Sequence, residues 1–251
     1  MHRQKLITYL DDYLRVKEIE DASQNGLQVA GPEEVAKIAF AVDGCQSTFE
    51  QAVAAGAQLL VVHHGLFWDK PLRLVGPLFR RVKMLIEGGC GLYAVHLPLD
   101  FHPEVGNNAE LARLLGLQDT RAFGECHGNE IGIGGMLDPP IPLEALIERL
   151  AQATGEPPLR ILAHGPEKIS QVGCVSGGAA FLMDQVAGAG FDTFITGETS
   201  HSCFHDAAEY GLNVVYGGHY ATETLGVKAL ARHLEEKFGL DTVFLDIPTG
   251  M

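Results

Sequence analysis

Histidine and carboxylate side chains follow apolar runs at four points of this 251-residue chain. The four segments, VVHHG, AVHLPLD, TGETSH and GGHYATE, each place polar groups directly after a predicted strand. Imidazole nitrogens and carboxylate oxygens are the ligands that zinc, iron, manganese and nickel ions take in proteins. In open α/β sheets, ligands bind beyond the carboxyl ends of the strands, where the loops converge. The four segments therefore predict a metal site at such strand ends.

The first segment ends in two adjacent histidines, His63 and His64, followed by Gly65. Successive residues of a strand point to opposite faces, so a straight strand cannot aim both rings at one ion. A turn at Gly65 would let each imidazole serve a different ion of a close pair. A lone histidine here is more often a capped or core residue, but two adjacent ones bring the metal interpretation level with that alternative.

The second segment offers His96 and Asp100. Pro98 disfavours helical backbone at Leu97, so we predict a strand exit here and not a helix face. A carboxylate is a usual terminal or bridging ligand of divalent ions. Taken alone, Asp100 fits a helix or turn cap better.

The fourth segment is the most specific, because Gly217 and Gly218 allow a turn after a buried strand and Glu223 opens a helix. If the helix begins at His219, then His219 and Glu223 are four residues apart and share one helical face. A histidine and a glutamate on one face are a common transition-metal pair, and a solvated surface pair is the weaker interpretation here.

The third segment supplies Glu198 and His201. These side chains, together with His96, are candidates for orienting the ligands or for acid–base chemistry on a substrate. Capping of the following helix by Thr199 or Ser200 is the alternative. The turn Ser176–Gly178 could hold a phosphate on its backbone N–H groups, or it could be a plain tight turn. Four other histidines lack such context and are interpreted as surface or core residues: His102, His127, His164 and His233.

Strands and helices alternate along the chain, which predicts an α/β fold in two related lobes, residues 1–125 and 126–251. Predicted strands end at Val42, His63, Val95, Ser176, Thr196 and Tyr216. Residues 125–140 are rich in glycine and predict a connection with one short strand near Ile131–Leu137. The segment that begins KIAFAVDG aligns without gaps with the one that begins QVGCVSGG, so that His63-His64 falls on Gly197-Glu198. With a one-residue gap, His96-x₃-Asp100 falls on His219-x₃-Glu223. This recurrence favours an internal duplication, with two sets of strand ends around one cleft.

Composition narrows the class of protein. With 46% apolar and 20% charged residues, the chain reads as globular. A formal charge of −14 with no basic cluster argues against nucleic-acid binding. Five scattered cysteines, no CxxC pair, no signal-peptide pattern and no apolar run long enough to span a bilayer predict a cytoplasmic protein without a membrane anchor.

Together, DASQNGLQVAG, VVHHG, AVHLPLD, TGETSH and GGHYATE resemble the YbgI family over nearly the whole chain. Its members are labelled GTP cyclohydrolase I type two homologues or Nif-three-like dinuclear metal-centre proteins. The resemblance is to the short form, which lacks a large middle insertion. It implies α/β/α layers and two divalent ions per chain, held by His63, His64, Asp100, His219 and Glu223, with Glu223 a candidate bridge. It also implies a toroidal homohexamer.

Two functions from different classes remain open at this point. The first is a metal-dependent hydrolase acting on a nucleotide-like, phosphorylated or cyclic amide small molecule. The second is a non-catalytic, metal-loaded scaffold or regulatory protein. Three imidazoles with two carboxylates suit zinc, iron, manganese or nickel, and magnesium is a further candidate, so the ligand types do not select the metal. Five ligands for two ions leave positions open, which favours catalysis.

Overall fold

In the computed structural model, which describes residues 1–126 and 128–251, the chain divides into two compact units. Unit 1 comprises Met1–Leu99 and Val227–Ile247, and unit 2 comprises Asp100–Gly226 and Pro248–Met251. His127 lies outside the described residues. Residue 125, where the sequence predicts a lobe boundary, falls inside unit 2. The two units are defined by contacts, whereas the predicted boundary separates the two halves of the predicted duplication. That boundary therefore stays a prediction.

Unit 1 contains a five-stranded sheet in the order β1-β4-β3-β2-β11. Strands β2, β3, β4 and β11 are parallel, and β1 pairs antiparallel with β4. Strands β2 to β4 are almost wholly buried, as their continuous apolar runs predict for a sheet covered on both faces. The elements are α1 Arg3–Tyr13, β1 Gly26–Val29, β2 Lys37–Asp43, α2 Gln46–Ala54, β3 Leu59–His64, α3 Gly76–Glu87, β4 Gly91–Ala94 and β11 Asp241–Phe244. The turn α4 Leu97–Asp100 begins in unit 1, and its last residue, Asp100, belongs to unit 2.

Unit 2 contains a six-stranded sheet in the order β5-β6-β8-β9-β10-β7. Strands β8, β9 and β10 are parallel, and the other neighbours pair antiparallel. The elements are α5 Asn107–Leu115, β5 Gln118–Cys126, β6 Asn129–Pro142, α6 Leu143–Thr154, β7 Arg160–Ala163, β8 Lys168–Val175, a 3₁₀ turn Ala180–Leu182, α7 Met183–Gly188, β9 Thr193–Thr196, α8 Cys203–Tyr210 and β10 Asn213–Tyr216. The last helix, α9 His219–Phe238, contributes residues 219–226 to unit 2 and 227–238 to unit 1.

The two sheets share a topology. Each contains three consecutive parallel strands in sequence order, β2-β3-β4 in unit 1 and β8-β9-β10 in unit 2. In each, the strand that precedes this run along the chain pairs antiparallel with its last member: β1 with β4, and β7 with β10. This common arrangement supports the duplication that the sequence alignment predicts.

Four elements differ from expectation. The sequence predicts a connection with one short strand over residues 125–140, but β6 is 14 residues long and pairs with β5, which has no apolar alternation to reveal it. Leu97–Asp100 is one helical turn and not a strand exit, because a proline in a first turn needs no N–H there. Helix α9 begins at His219, four residues before the predicted start at Glu223, so the condition for a shared His219–Glu223 face is met.

A membrane-crossing helix requires an apolar stretch of ~20 residues. Among residues 1–126 and 128–251, no helix combines that length with that apolarity.

Candidate metal centre

Three histidines converge at the carboxyl ends of neighbouring parallel strands in unit 1. His63 and His64 end β3, and His96 follows β4 by two residues. Their ring centroids are 4.7 Å (His63–His64), 5.1 Å (His63–His96) and 5.6 Å (His64–His96) apart. One ring nitrogen of each lies within 4.8 Å of the others. The ends of β3 and β4 therefore bring three imidazoles together, although alternation along a strand would point His63 and His64 to opposite faces.

Gly65 lets the chain leave β3 at this point. A Cβ on Gly65 would lie 2.5 Å from the Ala94 Cβ and from the Gln28 Oε1, closer than heavy atoms approach. Only glycine fits in this space. On the other side, the Gly44 N–H donates to the His64 carbonyl at 2.7 Å and ties the end of β3 to the end of β2.

The Nδ1 atom of each of these three histidines faces an oxygen acceptor. His63 Nδ1 lies 2.9 Å from the Val95 carbonyl, and His64 Nδ1 lies 2.8 Å from the Asp43 carboxylate. Because these oxygens only accept, Nδ1 must carry the hydrogen, so in the neutral ring Nε2 carries the lone pair. Metal-binding histidines are held in this way by a carbonyl or carboxylate on the other ring nitrogen.

Asp21 holds His96 and is itself almost completely buried, with 2% of its side chain exposed. Its carboxylate accepts from His96 Nδ1 at 2.9 Å, from Asn25 Nδ2 at 2.8 Å, and from the backbone N–H groups of Ser23 and Leu97 at 3.0 Å each. Burial alone would raise the pKa of Asp21, but the hydrogen bond and charge of His96 and the other donors outweigh it and lower the pKa to about 2. Asp21 is thus a fixed anion behind His96.

Unit 2 contains further side chains that could be metal ligands. At the start of α9, His219 Nε2 lies 3.0 Å from the Glu223 Oε1, and His219 Nδ1 lies 2.6 Å from the Glu198 Oε1. One carboxylate oxygen each of Asp100 and Glu223 lie within 4.8 Å of one another. Burial opposes a charge on His219, but its hydrogen bonds to Glu223 and Glu198 and their charges raise its pKa to about 9.

The two carboxylates are buried, with 7% of Asp100 and 3% of Glu223 exposed. Asp100 Oδ1 accepts from Asn107 Nδ2 at 2.8 Å and from Ser176 Oγ at 3.0 Å. Two buried anions so close together repel each other unless a positive charge compensates them. Protonated His219, 3.0 Å from Glu223, provides one positive charge. A divalent cation would provide two, so the donor set of unit 2 fits a metal ion.

The turn Ser176–Gly178 packs against this group. Gly177 has a φ of +64°, and its N–H donates to Thr222 Oγ1 at 3.1 Å, while its carbonyl accepts from the backbone N–H of Glu198. A Cβ on Gly177 would lie 2.3 Å from the Glu223 Oε1. The Gly177 N–H is used within the protein, so the plain-turn interpretation fits this residue, and the turn shapes the space around Glu223.

The remaining candidates lie elsewhere. In this segment Glu198 is the residue that contacts His219 Nδ1, whereas His201 is exposed. The ring of His102 accepts from the backbone N–H groups of Glu104 and Val105, both at 3.2 Å, so it caps its own loop. His164 is exposed.

Sequence reasoning missed three residues that hold predicted site residues: Asp21 contacts His96, Asp43 contacts His64, and Asn107 contacts Asp100. Asp21 lies in the segment DASQNG, which contributed only to the family resemblance. Asp43 ends β2, and its register partner on β3 is His64. An acidic residue at the end of a buried parallel strand was the available signal for Asp43. Asn107 opens α5, where a cap is the ordinary expectation.

Residues 1–250 match the family described as Duf34/NIF3 (NGG1p interacting factor 3). The chain belongs to this family. A Deinococcus radiodurans protein named GTP cyclohydrolase 1 type 2 homolog is 45% identical to this NIF3-family chain, over 99% of this chain and 94% of its own length. A Pyrococcus abyssi protein of the same name is 43% identical over 100% of both chains.

Solved structures agree on the fold of this NIF3-family chain. The protein TTHA1606 from Thermus thermophilus has a TM-score of 0.92 and 48% identity, and the match covers 100% of both chains. The protein ybgI, described as of unknown function, has a TM-score of 0.93 and 38% identity over 100% of both chains. The predicted YbgI and Nif-three-like resemblance and the α/β fold are thereby confirmed.

Proposed function

We propose that this NIF3-family protein binds two divalent metal ions through His63, His64, Asp100, His219 and Glu223 and hydrolyses a small molecule with them. The observation that carries the proposal is the anchoring of His63, His64 and His219, each of which donates Nδ1–H to a carbonyl or carboxylate oxygen. The buried Asp100 and Glu223 add the negative charge that divalent ions require. Zinc, iron, manganese and nickel suit this mixture of ligands, and magnesium suits it less well.

When bound, two divalent ions polarise a substrate oxygen and supply a strong nucleophile at neutral pH. The protein's own residues fix the geometry. Asp43 and the Val95 carbonyl hold His64 and His63 in one tautomer, and Glu198 does the same for His219. We assign Glu198 to this positioning role.

The acid–base assignments follow from exposure. His96 is partly exposed, with 22% of its side chain accessible, and lies beside His63 and His64, so it can contact a bound substrate. His201 is exposed and stays a candidate proton donor or acceptor from the neighbouring segment.

The substrate class is a nucleotide-like, phosphorylated or cyclic amide compound, and the support for it is the name that the relatives carry. The proposal includes a homo-oligomer, with a toroidal homohexamer as the state that the family resemblance implies. Light scattering of the purified protein tests the hexamer: a monomeric mass at micromolar concentration contradicts it.

Metal analysis combined with a substrate panel tests the function. We expect about two equivalents of transition metal per chain, and hydrolysis of at least one phosphorylated or cyclic amide substrate that chelation abolishes. Glu223→Gln and His64→Ala should lose both metal and activity. Glu209→Gln and His164→Ala, at exposed positions, are the matched controls and should retain both.

The outcomes separate the two functions. If Glu223→Gln loses metal while the wild type hydrolyses nothing in the panel, the ions are structural or regulatory and the scaffold alternative holds. If Glu223→Gln and His64→Ala bind metal like the wild type, the ligand assignment is wrong.

A further inference from the structure

Trp68 is the only tryptophan of the chain, and it lies beside two histidines of the candidate site. The ring centroids of Trp68 and His96 are 5.1 Å apart and their planes meet at 70°, which is an edge-to-face contact. The ring centroids of Trp68 and His64 are 6.3 Å apart. Aromatic rings in contact have centroids ~4.5–7 Å apart, so the indole borders the histidine group of unit 1.

The two residues before Trp68 have a different environment. Leu66 is buried in the apolar core of unit 1, and Phe67 packs against that core. Trp68 contacts the rings of His64 and His96 and is half-buried, so part of its surface stays accessible to a ligand. Ligand pockets are lined mainly by apolar and aromatic side chains around a few polar groups, and Trp68 beside the histidines fits this description.

Hydrogen bonds hold Trp68 in this position. Its indole N–H donates to the Gly65 carbonyl at 3.2 Å, and its own carbonyl accepts from the Gln24 side chain at 3.2 Å. Its backbone also forms an isolated antiparallel bridge with Ser23. The indole has one hydrogen-bond donor and no acceptor, and that donor is engaged within the protein. The ring therefore offers a ligand its π surface.

A π surface selects ligands by their shape. Planar conjugated rings stack on a tryptophan, whereas a sugar phosphate or a saturated cyclic amide has no flat face to present to it. Stacking of a nucleobase on an aromatic side chain strengthens binding by about tenfold to a hundredfold. Because the indole contacts both His64 and His96, a ring stacked on it brings its substituents close to these histidines.

We propose that Trp68 stacks on a planar nitrogen heterocycle of the substrate, of the nucleobase type, and so determines which substrates the site accepts. The inference rests on the proposed function and narrows its substrate class to compounds that carry such a ring. Trp68 contacts the substrate and takes no part in binding the metal ions.

The fluorescence of Trp68 tests this contact directly, since no other tryptophan contributes to the emission. The full-length wild type, supplied with Zn²⁺, is titrated with the 5′-monophosphates of guanosine, adenosine and uridine. Ribose 5-phosphate, which has the sugar and the phosphate without the ring, is the matched control ligand. At least one nucleotide should quench the emission to a saturating value, and ribose 5-phosphate should leave it nearly unchanged. N-acetyltryptophanamide, titrated in parallel, corrects for light absorption and collisional quenching by the nucleotides.

Substitutions separate stacking from a purely structural role. Measured by calorimetry, Trp68→Leu should weaken the binding of the best nucleotide by about tenfold to a hundredfold and change the binding of ribose 5-phosphate little. Trp68→Phe keeps a flat ring and should retain most of the affinity. Phe79→Leu, which removes an exposed aromatic ring from α3, is the matched control and should bind like the wild type. Circular dichroism identifies a variant that fails to fold, in which case the wild-type fluorescence decides.

The results distinguish this inference from the proposed function. If no nucleotide quenches Trp68 more than ribose 5-phosphate does, or if Trp68→Leu weakens both kinds of ligand equally, the stacking role is refuted while metal binding and hydrolysis can stand. If the wild type binds no Zn²⁺, the proposed function fails in its own assay, and the fluorescence still decides the role of Trp68. Saturable quenching by a nucleotide, with a selective loss in Trp68→Leu, supports the inference.

Discussion

Gly177→Ala should weaken metal binding by crowding Glu223, without unfolding the protein. An alanine Cβ at this position would lie 2.3 Å from the Glu223 Oε1, whereas ordinary contacts of this kind begin at about 3.4 Å. The carboxylate oxygen must therefore retreat by about 1 Å. Glu223 is 3% exposed, so the move must take place within a packed environment.

The expected effect of Gly177→Ala has two parts, a loss of stability and a loss of metal affinity. Gly177 has a φ of +64°, and a non-glycine residue in the left-handed region costs about 1–2 kcal/mol of stability. That part is shared by Gly190→Ala, because Gly190 has a φ of +80° and no atom within 4 Å of its would-be Cβ. Only Gly177→Ala would also displace the Glu223 carboxylate. Misplacing a ligand or its support typically lowers metal affinity by about 10- to 100-fold.

The assay compares both variants with the wild type, using urea unfolding for stability and competitive chelator titration for Zn²⁺ affinity. Both variants should lose about 1–2 kcal/mol of stability in the metal-free state. Only Gly177→Ala should also lose Zn²⁺ affinity. If Gly177→Ala and Gly190→Ala bind Zn²⁺ equally well, Glu223 is not a ligand in the orientation described and the reasoning fails.

Three further predictions concern the carboxylates that contact the histidines of the site. Asp21→Asn should lower the free energy of unfolding of the metal-free protein by ~2 kcal/mol at pH 7, because the Asp21 pKa is about 2 when folded against 3.8 for the free group. The stability that Asp21 contributes is present above pH ~4 and is lost as the pH falls through about 2. The difference in urea midpoint between the wild type and Asp21→Asn should therefore shrink below pH ~4, and a difference that stays constant down to pH ~2.5 contradicts this prediction. Asp43→Asn should weaken Zn²⁺ binding about tenfold, since His64 loses its anionic acceptor, and unchanged calorimetric affinity would rule this out. Zn²⁺ affinity should rise up to about tenfold per pH unit toward pH 9, because a proton with a pKa of about 9 competes for His219. Glu198→Gln should lower the His219 pKa, so the rise in Zn²⁺ affinity should end at a lower pH in this variant. A wild-type Zn²⁺ affinity that is constant from about pH 7 to 9 would refute the competition between the proton and the metal for His219.

The chemistry-bearing segments were visible in the sequence because each follows a short apolar strand. Parallel strands buried on both faces read as continuous apolar runs, so the ends of β3, β9 and β10 were predicted within a residue. The His219–Glu223 pairing also followed from the sequence, since the four-residue spacing becomes a shared face once α9 begins at His219. Local periodicity was sufficient for both features.

The anchors were not visible, because they depend on pairing between distant segments. Asp43 reaches His64 only through the parallel register of β2 and β3, and Asp21 reaches His96 across 75 residues of chain. An isolated aspartate carries no periodic signal. Strand β5 was missed for a related reason: most of its side chains are exposed, so its pairing with β6 leaves no apolar pattern.

The predicted duplication would also explain why the two groups of candidate ligands differ. The gapless alignment places Glu198 at the position of His64. His64 is the last residue of β3, and Glu198 follows the end of β9 by two residues. In unit 1 this position supplies an imidazole, which needs its own anchor and finds it in Asp43. In unit 2 the same position supplies the carboxylate that anchors His219. With His64 as a ligand in the proposed function, one backbone position would provide a ligand in unit 1 and an anchor in unit 2. A duplicated strand–helix unit would in this way give a nitrogen-rich group in unit 1 and a carboxylate-rich one in unit 2.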